Sequence, residues 1–290
     1  MPGLLPDVDP DGLLEYSVVF TDRSLNHMST TFQSVMNDIS DTLKSVYNAE
    51  AVVVVPGGGT YGMEAVARQF ATGKKCLVIR NGYFSYRWSQ IFEMGDIPSE
   101  SIVLKAQRTG EGPTAPFAPA PVEGVVAMIR DEKPGVVFAP HVETSSGMLL
   151  PDDYIRQVTD AVHSVGGLFV LECIASGDIW VDMKRLGVDV LISAPQKGWS
   201  ASPCSALVML SERALDVLGN TSSTSFACDL GKWLDIMRAY ENGGHAYHAT
   251  MPTDALRKFR DTMLETRDYG FDRVMQEQWE LGRGVRKMLE

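Results

Sequence analysis

The chain has 290 residues, of which 44% are hydrophobic and 22% charged, and its formal net charge is −11. This composition is typical of a globular protein with one large domain and a substantial core. The negative charge argues against nucleic acid or an anionic membrane surface as a partner, and no apolar run approaches the roughly 20 residues that a membrane span needs.

The compartment is predicted from the cysteines and from the first residues of the chain. The four cysteines lack C-x-x-C spacing, and most lie in or near apolar runs. We therefore expect buried thiols in a reducing cytosol rather than disulfides or a metal site. The opening residues MPGLLPDVDPDG have neither a basic region nor an apolar core, so no secretory signal is expected and the predicted location is cytoplasmic.

Predicted strands and helices alternate along most of the chain. Residues 1–30 are turn-rich and are predicted to form an N-terminal arm. The predicted strands are 52–55, 76–80, 102–105, 135–139, 167–172, 189–195 and 205–211. The helices predicted from apolar spacing are 32–46, 61–71, 84–93, 122–131 and 152–164. From residue 253 onward the pattern predicts one long charged helix.

This alternation predicts an α/β fold. Several predicted strands are apolar throughout, as expected where helices cover both faces of a mostly parallel sheet. We therefore predict a three-layer α/β/α large domain over residues 31–252. In such sheets ligands bind at the carboxyl ends of the strands. The segments that follow the predicted strands are 57–60, 81–84, 141–146, Glu172 and 196–197.

A glycine turn joins the first predicted strand to a helix in the stretch AVVVVPGGGTYGMEA, residues 51–65. A helix N-terminus after a flexible turn suits phosphate, because free backbone N–H groups and the helix dipole both favour an anion. Gly57, Gly59 and Gly62 also have the G-x-G-x-x-G spacing of a dinucleotide site, and Arg80 follows at about the distance of a 2′-phosphate partner. A nicotinamide-dependent dehydrogenase therefore remains an alternative at this point.

Two further residues narrow the choice of cofactor. Lys197 lies in a turn between two apolar strands, and a lysine amine can form a Schiff base with an aldehyde. Glu172 ends an apolar strand, where a carboxylate needs a cationic or hydrogen-bonding partner. Pyridoxal 5′-phosphate presents a phosphate, an aldehyde and a protonated ring nitrogen, one for each of these three features. The sequence therefore predicts this cofactor.

At these residues the chain resembles the class V aminotransferases of the fold-type I pyridoxal-phosphate enzymes, most closely the alanine/serine–glyoxylate branch. The resemblance covers roughly residues 20–285. It rests on GGGTYGMEA, NGYFSYRW, HVETSSG, SAPQKGWSASPCSALVML and YHATMPTDAL, in this order. It implies that Lys197 is the Schiff-base lysine and proton carrier, and that Glu172 meets the ring nitrogen.

The same resemblance implies the remaining cofactor contacts. Phe84 would stack on the ring, and Ser145 would reach its phenolic oxygen, with Glu143 nearby. The implied phosphate contacts are Gly58, Gly59, Thr60 and Gln196, together with Tyr247 and Thr250 given to the neighbouring subunit. The resemblance thus implies a homodimer with shared active sites, and no metal.

Three departures from the family pattern affect these expectations. Gly58 stands where the family usually has serine, which removes one hydroxyl contact. Glu172 stands where the family has aspartate, with Asp178 as a substitute only if the following turn bends inward. Residues 253–290 are expected to be a linker helix and the start of a small C-terminal domain that is otherwise largely absent. The family's arginine for the substrate carboxylate therefore has no match.

The predicted activity is transfer of an amino group from a small amino acid, alanine- or serine-like, to an oxo acid such as glyoxylate or pyruvate. A pyridoxal-phosphate lyase or desulfurase is one alternative, although no cysteine lies in an obviously flexible loop. A cofactor-binding homologue with weakened catalysis is another, since Glu172 replaces aspartate and the small domain is expected to be absent. The nicotinamide dehydrogenase leaves Lys197 and Glu172 unexplained.

Overall fold

A computed structural model describes residues 25–289 of the chain. Most of the predicted N-terminal arm, residues 1–24, lies outside the described part. The helices are α1 Thr30–Tyr47, α2 Gly59–Phe70, α3 Tyr86–Gly95, α4 Val122–Glu132, α5 Asp152–Ser164, α6 Met183–Leu186, α7 Glu212–Leu218, α8 Leu230–Glu241, α9 Thr253–Tyr269 and α10 Phe271–Leu289. None of these helices combines the length and hydropathy needed to cross a membrane.

The strands form one large sheet and two short hairpins. The strands are β1 Ala51–Pro56, β2 Lys75–Arg80, β3 Glu100–Lys105, β4 Gln107–Arg108, β5 Phe117–Ala118, β6 Val136–Pro140, β7 Val142–Glu143, β8 Met148–Leu149, β9 Leu168–Glu172, β10 Val190–Ser193 and β11 Ser205–Leu210. The sheet order is β1-β11-β10-β9-β6-β2-β3. The pairs from β10 to β3 are parallel, and β11 alone runs antiparallel to its neighbours β10 and β1.

The central strands are buried on both faces. Every residue of β6, β9, β10 and β11 is buried, whereas β3 at the edge has exposed and half-buried residues only. Burial of successive residues means that both faces of the sheet are covered, because side chains alternate between faces along a strand. Helix α2 packs on β10 and β11, α5 packs on β9, and α8 packs on β1. The predicted α/β architecture with a mostly parallel sheet is confirmed.

Helix α8 was not predicted from the sequence, although its pattern is present there. Asp229 caps the helix by accepting a hydrogen bond from Lys232 N at 3.0 Å. Its buried face, at helical spacing, consists of Leu230, Trp233, Leu234, Ile236, Met237 and Tyr240. These large side chains complete the core over β1, so the missed element belongs to the body of the domain.

The single long helix predicted from residue 253 is wrong. The chain forms α9 and α10, separated by Gly270, whose φ of 108° and ψ of 116° lie outside the helical region and are open mainly to glycine. Phe271 follows and packs its ring edge-on against Trp180 and Trp199, with centroids 6.1 Å apart in both pairs. The backbone therefore turns at Gly270 so that an aromatic side chain can join this cluster.

Candidate cofactor site

A cavity of about 250 Å³ opens at the carboxyl end of the parallel strands. It is formed by the segments that follow β1, β2, β6, β9 and β10. Because parallel strands end at the same edge of a sheet, residues far apart in sequence meet here. The lining residues are Gly59, Thr60, Met63, Phe84, Arg87, Val142, Thr144, Glu172, Ile174, Ala175, Gln196 and Lys197.

The cavity brings together most of the residues singled out in the sequence. Six of them line it: Gly59, Thr60, Phe84, Glu172, Gln196 and Lys197. Gly58 directly precedes Gly59 and is the N-cap residue of α2. Three others do not line it: Ser145, Tyr247 and Thr250. The alternative acid, Asp178, and the alternative phosphate partner, Arg80, also lie outside its lining.

The glycine turn presents the N-terminus of α2 to the cavity. Helix α2 begins at Gly59 and has no side-chain hydrogen bond at its cap. Tyr61 N donates to Gly58 O at 2.9 Å, so the N–H groups of Gly59 and Thr60 are the ones available to an anion. The backbone approach is close, because a Cβ on Gly59 would overlap the Ile174 side chain, and one on Gly62 would lie 2.5 Å from Ala206 Cβ. The spacing of the glycines is therefore explained by packing of this turn against its neighbours.

Arg87, which was not among the predicted site residues, supplies a cation beside this turn. Its Nη1 donates a hydrogen bond to Thr60 Oγ1 at 2.9 Å, and its guanidinium carbon lies 5.7 Å from the centre of the Phe84 ring. The residue follows Phe84 by three positions where α3 begins, and this spacing places both on one side of the turn. A chain with a net charge of −11 thus has a local positive charge next to the α2 N-terminus.

Glu172 is the buried acid of the cavity. Its side chain is 4% exposed, and its Oε1 accepts a hydrogen bond from Ile174 N at 2.7 Å. Burial raises the pKa of this carboxyl to about 7, and the nearby Glu143 charge adds to the rise. The Ile174 N–H, Arg87 and Lys197 oppose it. A cationic group placed against Glu172 would compensate the cost of burying its charge.

Lys197 and Gln196 enter the cavity from a tight turn after β10. The turn is closed by hydrogen bonds from Ser200 N to Lys197 O and from Ala201 N to Pro195 O, both at 3.0 Å. Lys197 is exposed, so its amine reaches the cavity from the solvent side. Gln196 Oε1 is buried without a hydrogen-bond partner in the described part of the chain. Such an orphaned amide indicates a missing polar partner.

Ser145 is engaged in a hydrogen-bond network around Glu143 instead of lining the cavity. Its Oγ donates to Glu143 Oε1 at 2.6 Å and accepts from Tyr83 N at 2.8 Å. Glu143 also accepts from Phe84 N at 3.1 Å and from Ser85 N at 2.8 Å. Burial alone would raise the pKa of Glu143, but these hydrogen bonds hold it below its usual value. The network fixes the loop that carries Phe84, and Thr144 lines the cavity instead.

Tyr247 and Thr250 line a different cavity, of about 270 Å³, formed with residues that include His27 and Trp233. The Tyr247 ring is 67% exposed and lies 5.6 Å from the ring of His27. Within one chain these two residues do not line the cavity that holds Lys197.

Comparison with known proteins decides the family. The model of the aminotransferase class-V family matches residues 13–243, which is most of the chain. The chain belongs to the class-V aminotransferases. Members of this family depend on pyridoxal phosphate. The nicotinamide interpretation of the G-x-G-x-x-G spacing is therefore set aside, in agreement with the place of Arg80, which stacks over Tyr86 outside the cavity.

Individual relatives of this class-V aminotransferase chain are distant. It is 25% identical to alanine–glyoxylate aminotransferase 1 of Saccharomyces cerevisiae, covering 90% of this chain and 68% of that protein. It is 24% identical to L-aspartate–glyoxylate aminotransferase of Paracoccus denitrificans, covering 92% and 65%. An alanine–glyoxylate aminotransferase structure from Nostoc sp. has the same fold, with a TM-score of 0.74, 23% identity and coverage of 86% and 63%. The chain thus spans from 63% to 68% of the length of these proteins.

Proposed function

We propose that this protein is a pyridoxal-phosphate-dependent aminotransferase that moves an amino group from a small amino acid to glyoxylate or pyruvate. The observation that carries the proposal is the meeting of an amine, Lys197, a buried acid, Glu172, and an uncapped helix N-terminus, α2, in one cavity. The names of the relatives given above pair glyoxylate with alanine or with L-aspartate.

The lining residues fit the cofactor group by group. The N–H groups of Gly59 and Thr60, with Arg87 beside them, would hold the phosphate, since this end of the cavity is locally positive. The orphaned Gln196 amide can turn its Nε2 toward the same anion. Phe84, whose ring is 38% exposed, offers a face for the pyridine ring. Gly58, which has no side chain, would contribute only its backbone.

Each catalytic role follows from the chemistry of one side chain. When bound, pyridoxal phosphate supplies an aldehyde that condenses with amines and a ring that withdraws electrons from the substrate Cα. The Lys197 amine would bond to the cofactor before substrate arrives. Once released, it would take the proton from the substrate Cα and deliver it to the carbon of the cofactor's aldehyde group. Glu172, ionised beside the cationic ring nitrogen, would keep that nitrogen protonated.

We further propose that the protein works as a cytoplasmic homodimer. Tyr247 and Thr250 would then be phosphate ligands for the neighbouring subunit, and Ser145 would approach the ring's phenolic oxygen after a shift of its loop. The exposed ring of Tyr247 and its separation from the cavity of its own chain support an intersubunit role. The described cysteines are all buried and unbridged, which supports a reducing compartment.

The test of this function uses the colour of the loaded protein. We expect a visible absorption band near roughly 400–430 nm after incubation with pyridoxal phosphate, because lysine imines of this aldehyde are yellow. An amino acid added alone should bleach that band, and glyoxylate or pyruvate should then restore it. A band that no amino acid changes would favour the homologue with weakened catalysis, and the absence of any band would contradict the proposal.

A desulfurase is disfavoured by the cysteines. This chemistry needs a reactive, accessible thiolate, and Cys76, Cys173, Cys204 and Cys228 are buried. Burial raises the pKa of each thiol, to about 12 for Cys76. None of the four lines the cofactor cavity.

Arg87 gives a prediction for cofactor affinity. Arg87→Gln should weaken pyridoxal-phosphate binding about 10-fold, because one charge-assisted hydrogen bond to the phosphate is lost. Arg80→Gln is the matched control, since Arg80 contacts Tyr86 and Ser89 and does not line the cavity. The measurement is the dissociation constant from absorbance titration. An equal loss of affinity in both variants would show that Arg87 does not contact the phosphate.

A further inference from the structure

A second cleft, of about 360 Å³, opens directly beside the cofactor cavity. The two share Val142, Thr144 and Ala175 as lining residues, so they adjoin each other. The far wall of the cleft is α10, which contributes Gln278, Trp279, Gly282 and Arg286. A substrate that reacts near Lys197 can therefore extend its distal end toward α10. We call this space the α10 cleft.

The charge of the α10 cleft is opposite to that of the chain as a whole. The chain has 37 acidic and 26 basic residues, yet none of the described residues that line this cleft is an aspartate or glutamate. Arg286 lines it, and no carboxylate within residues 25–289 lies within ion-pair distance of its guanidinium. An anion entering the cleft would meet one positive charge and no repelling lining carboxylate.

Glycines lie against two polar side chains of α10 in this cleft, Gln278 and Arg286. Gln278 packs against Gly177, where an added Cβ would lie 3.0 Å from the Gln278 Oε1 atom. Gly282 lies one turn before Arg286, and a Cβ there would lie 3.5 Å from Arg286 Nη1. The Arg286 guanidinium therefore lies beside Gly282, and the Gln278 amide lies beside Gly177. A planar guanidinium donates two parallel hydrogen bonds to a carboxylate, a geometry that an ammonium does not match.

We propose that the α10 cleft binds the distal carboxylate of an acidic amino-acid donor, with Arg286 as its counter-charge. This inference rests on the proposed function and narrows its substrate class. The amine and Cα of the donor lie at the cofactor side, and the side-chain carboxylate lies in the cleft. A neutral donor such as alanine has no group that reaches the cleft, so Arg286 is a specificity-determining residue for acidic over neutral donors.

The first test measures binding without catalysis. The full chain, with and without pyridoxal phosphate, is titrated calorimetrically with succinate and with propionate, which lacks the second carboxylate. We expect succinate to bind at least about 10-fold more tightly, and Arg286→Gln to remove this difference. Arg283→Gln is the control, because Arg283 lies over Trp279 on the same helix but does not line the cleft. Equal binding of the two acids to the wild type would overturn the proposal, as would equal losses in both variants.

The second test measures donor preference in the loaded protein. Arg286→Gln should raise the half-saturating concentration of L-aspartate about 10-fold in bleaching the visible band, and should leave that of L-alanine unchanged. An equal rise for both donors would mean that Arg286 contacts the α-carboxylate, and would overturn the distal assignment. If no amino acid bleaches the wild-type band, the proposed function fails, while the succinate titration still decides whether the cleft binds a dicarboxylate.

Discussion

Lys197→Ala should lower the rate of amino transfer by at least about 10³-fold. The substitution removes both the amine that bonds to the cofactor and the group that moves the Cα proton, and proton transfer by a positioned side chain alone contributes about 10²–10⁴-fold. The proposed phosphate contacts at Gly59, Thr60 and Arg87 remain, so the variant should still bind pyridoxal phosphate non-covalently. The measurement is the single-turnover rate with alanine or aspartate, together with the absorption spectrum.

The control for Lys197→Ala is Lys184→Ala, which removes an exposed lysine that lies 3.7 Å from Glu50 and does not line the cavity. The free energy of unfolding of both variants should lie within about 0.5 kcal/mol of the wild-type value, since both side chains are exposed. A Lys197→Ala protein that keeps its visible band and more than about a tenth of its rate would contradict the assigned role.

Glu172→Gln should reduce amino transfer in the loaded protein by about 10²-fold, because a neutral amide cannot keep the ring nitrogen protonated. Glu172→Asp, which places the family's usual residue at this position, should retain activity within about 10-fold of the wild type. The measurement is the single-turnover rate of each variant. Equal rates for Glu172→Gln and Glu172→Asp would show that the charge at this position is not used.

Glu172→Gln should also change how the free energy of unfolding of the cofactor-free protein depends on pH. The pKa of Glu172 is about 7 in the folded protein and 4.5 when unperturbed, so the folded state holds the proton more tightly. The free energy of unfolding should therefore fall as pH rises from about 4.5 to 7, by up to about 3 kcal/mol. Glu172→Gln should remove that loss, being close to wild type at pH 5 and more stable at pH 8 in urea unfolding. The same pH dependence of the free energy of unfolding in the wild type and in Glu172→Gln would contradict this prediction.

The sheet could be predicted from the sequence because its signals are local. Apolar runs such as Val52–Val55 and a glycine turn before α2 leave few alternatives to a buried strand joined to a helix. The break between α9 and α10 also has a local signal, since a glycine after a charged last turn often ends a helix. The prediction of one long charged helix from residue 253 did not use that signal at Gly270.

The site could be predicted only in part. Glu172 ends β9 and Lys197 follows β10, and the parallel topology brings strand ends together whatever the details of the loops. The hydrogen bond of Arg87 to Thr60 depends on the packing of α3 against α2, which no local pattern encodes. The hydrogen bonds of Tyr83 N to Ser145 and of Phe84 N to Glu143 are likewise tertiary interactions. The proposed roles of Tyr247 and Thr250 depend on a second subunit.

The bond between Lys197 and the cofactor is tested most directly by trapping it. The loaded protein is reduced with borohydride, digested and analysed by mass spectrometry for a phosphopyridoxyl group. We expect that group on Lys197 in near-stoichiometric yield, and we expect it to be absent after prior treatment with an amino acid that bleaches the band. A phosphopyridoxyl group spread over other lysines, with Lys197 unmodified, would contradict it.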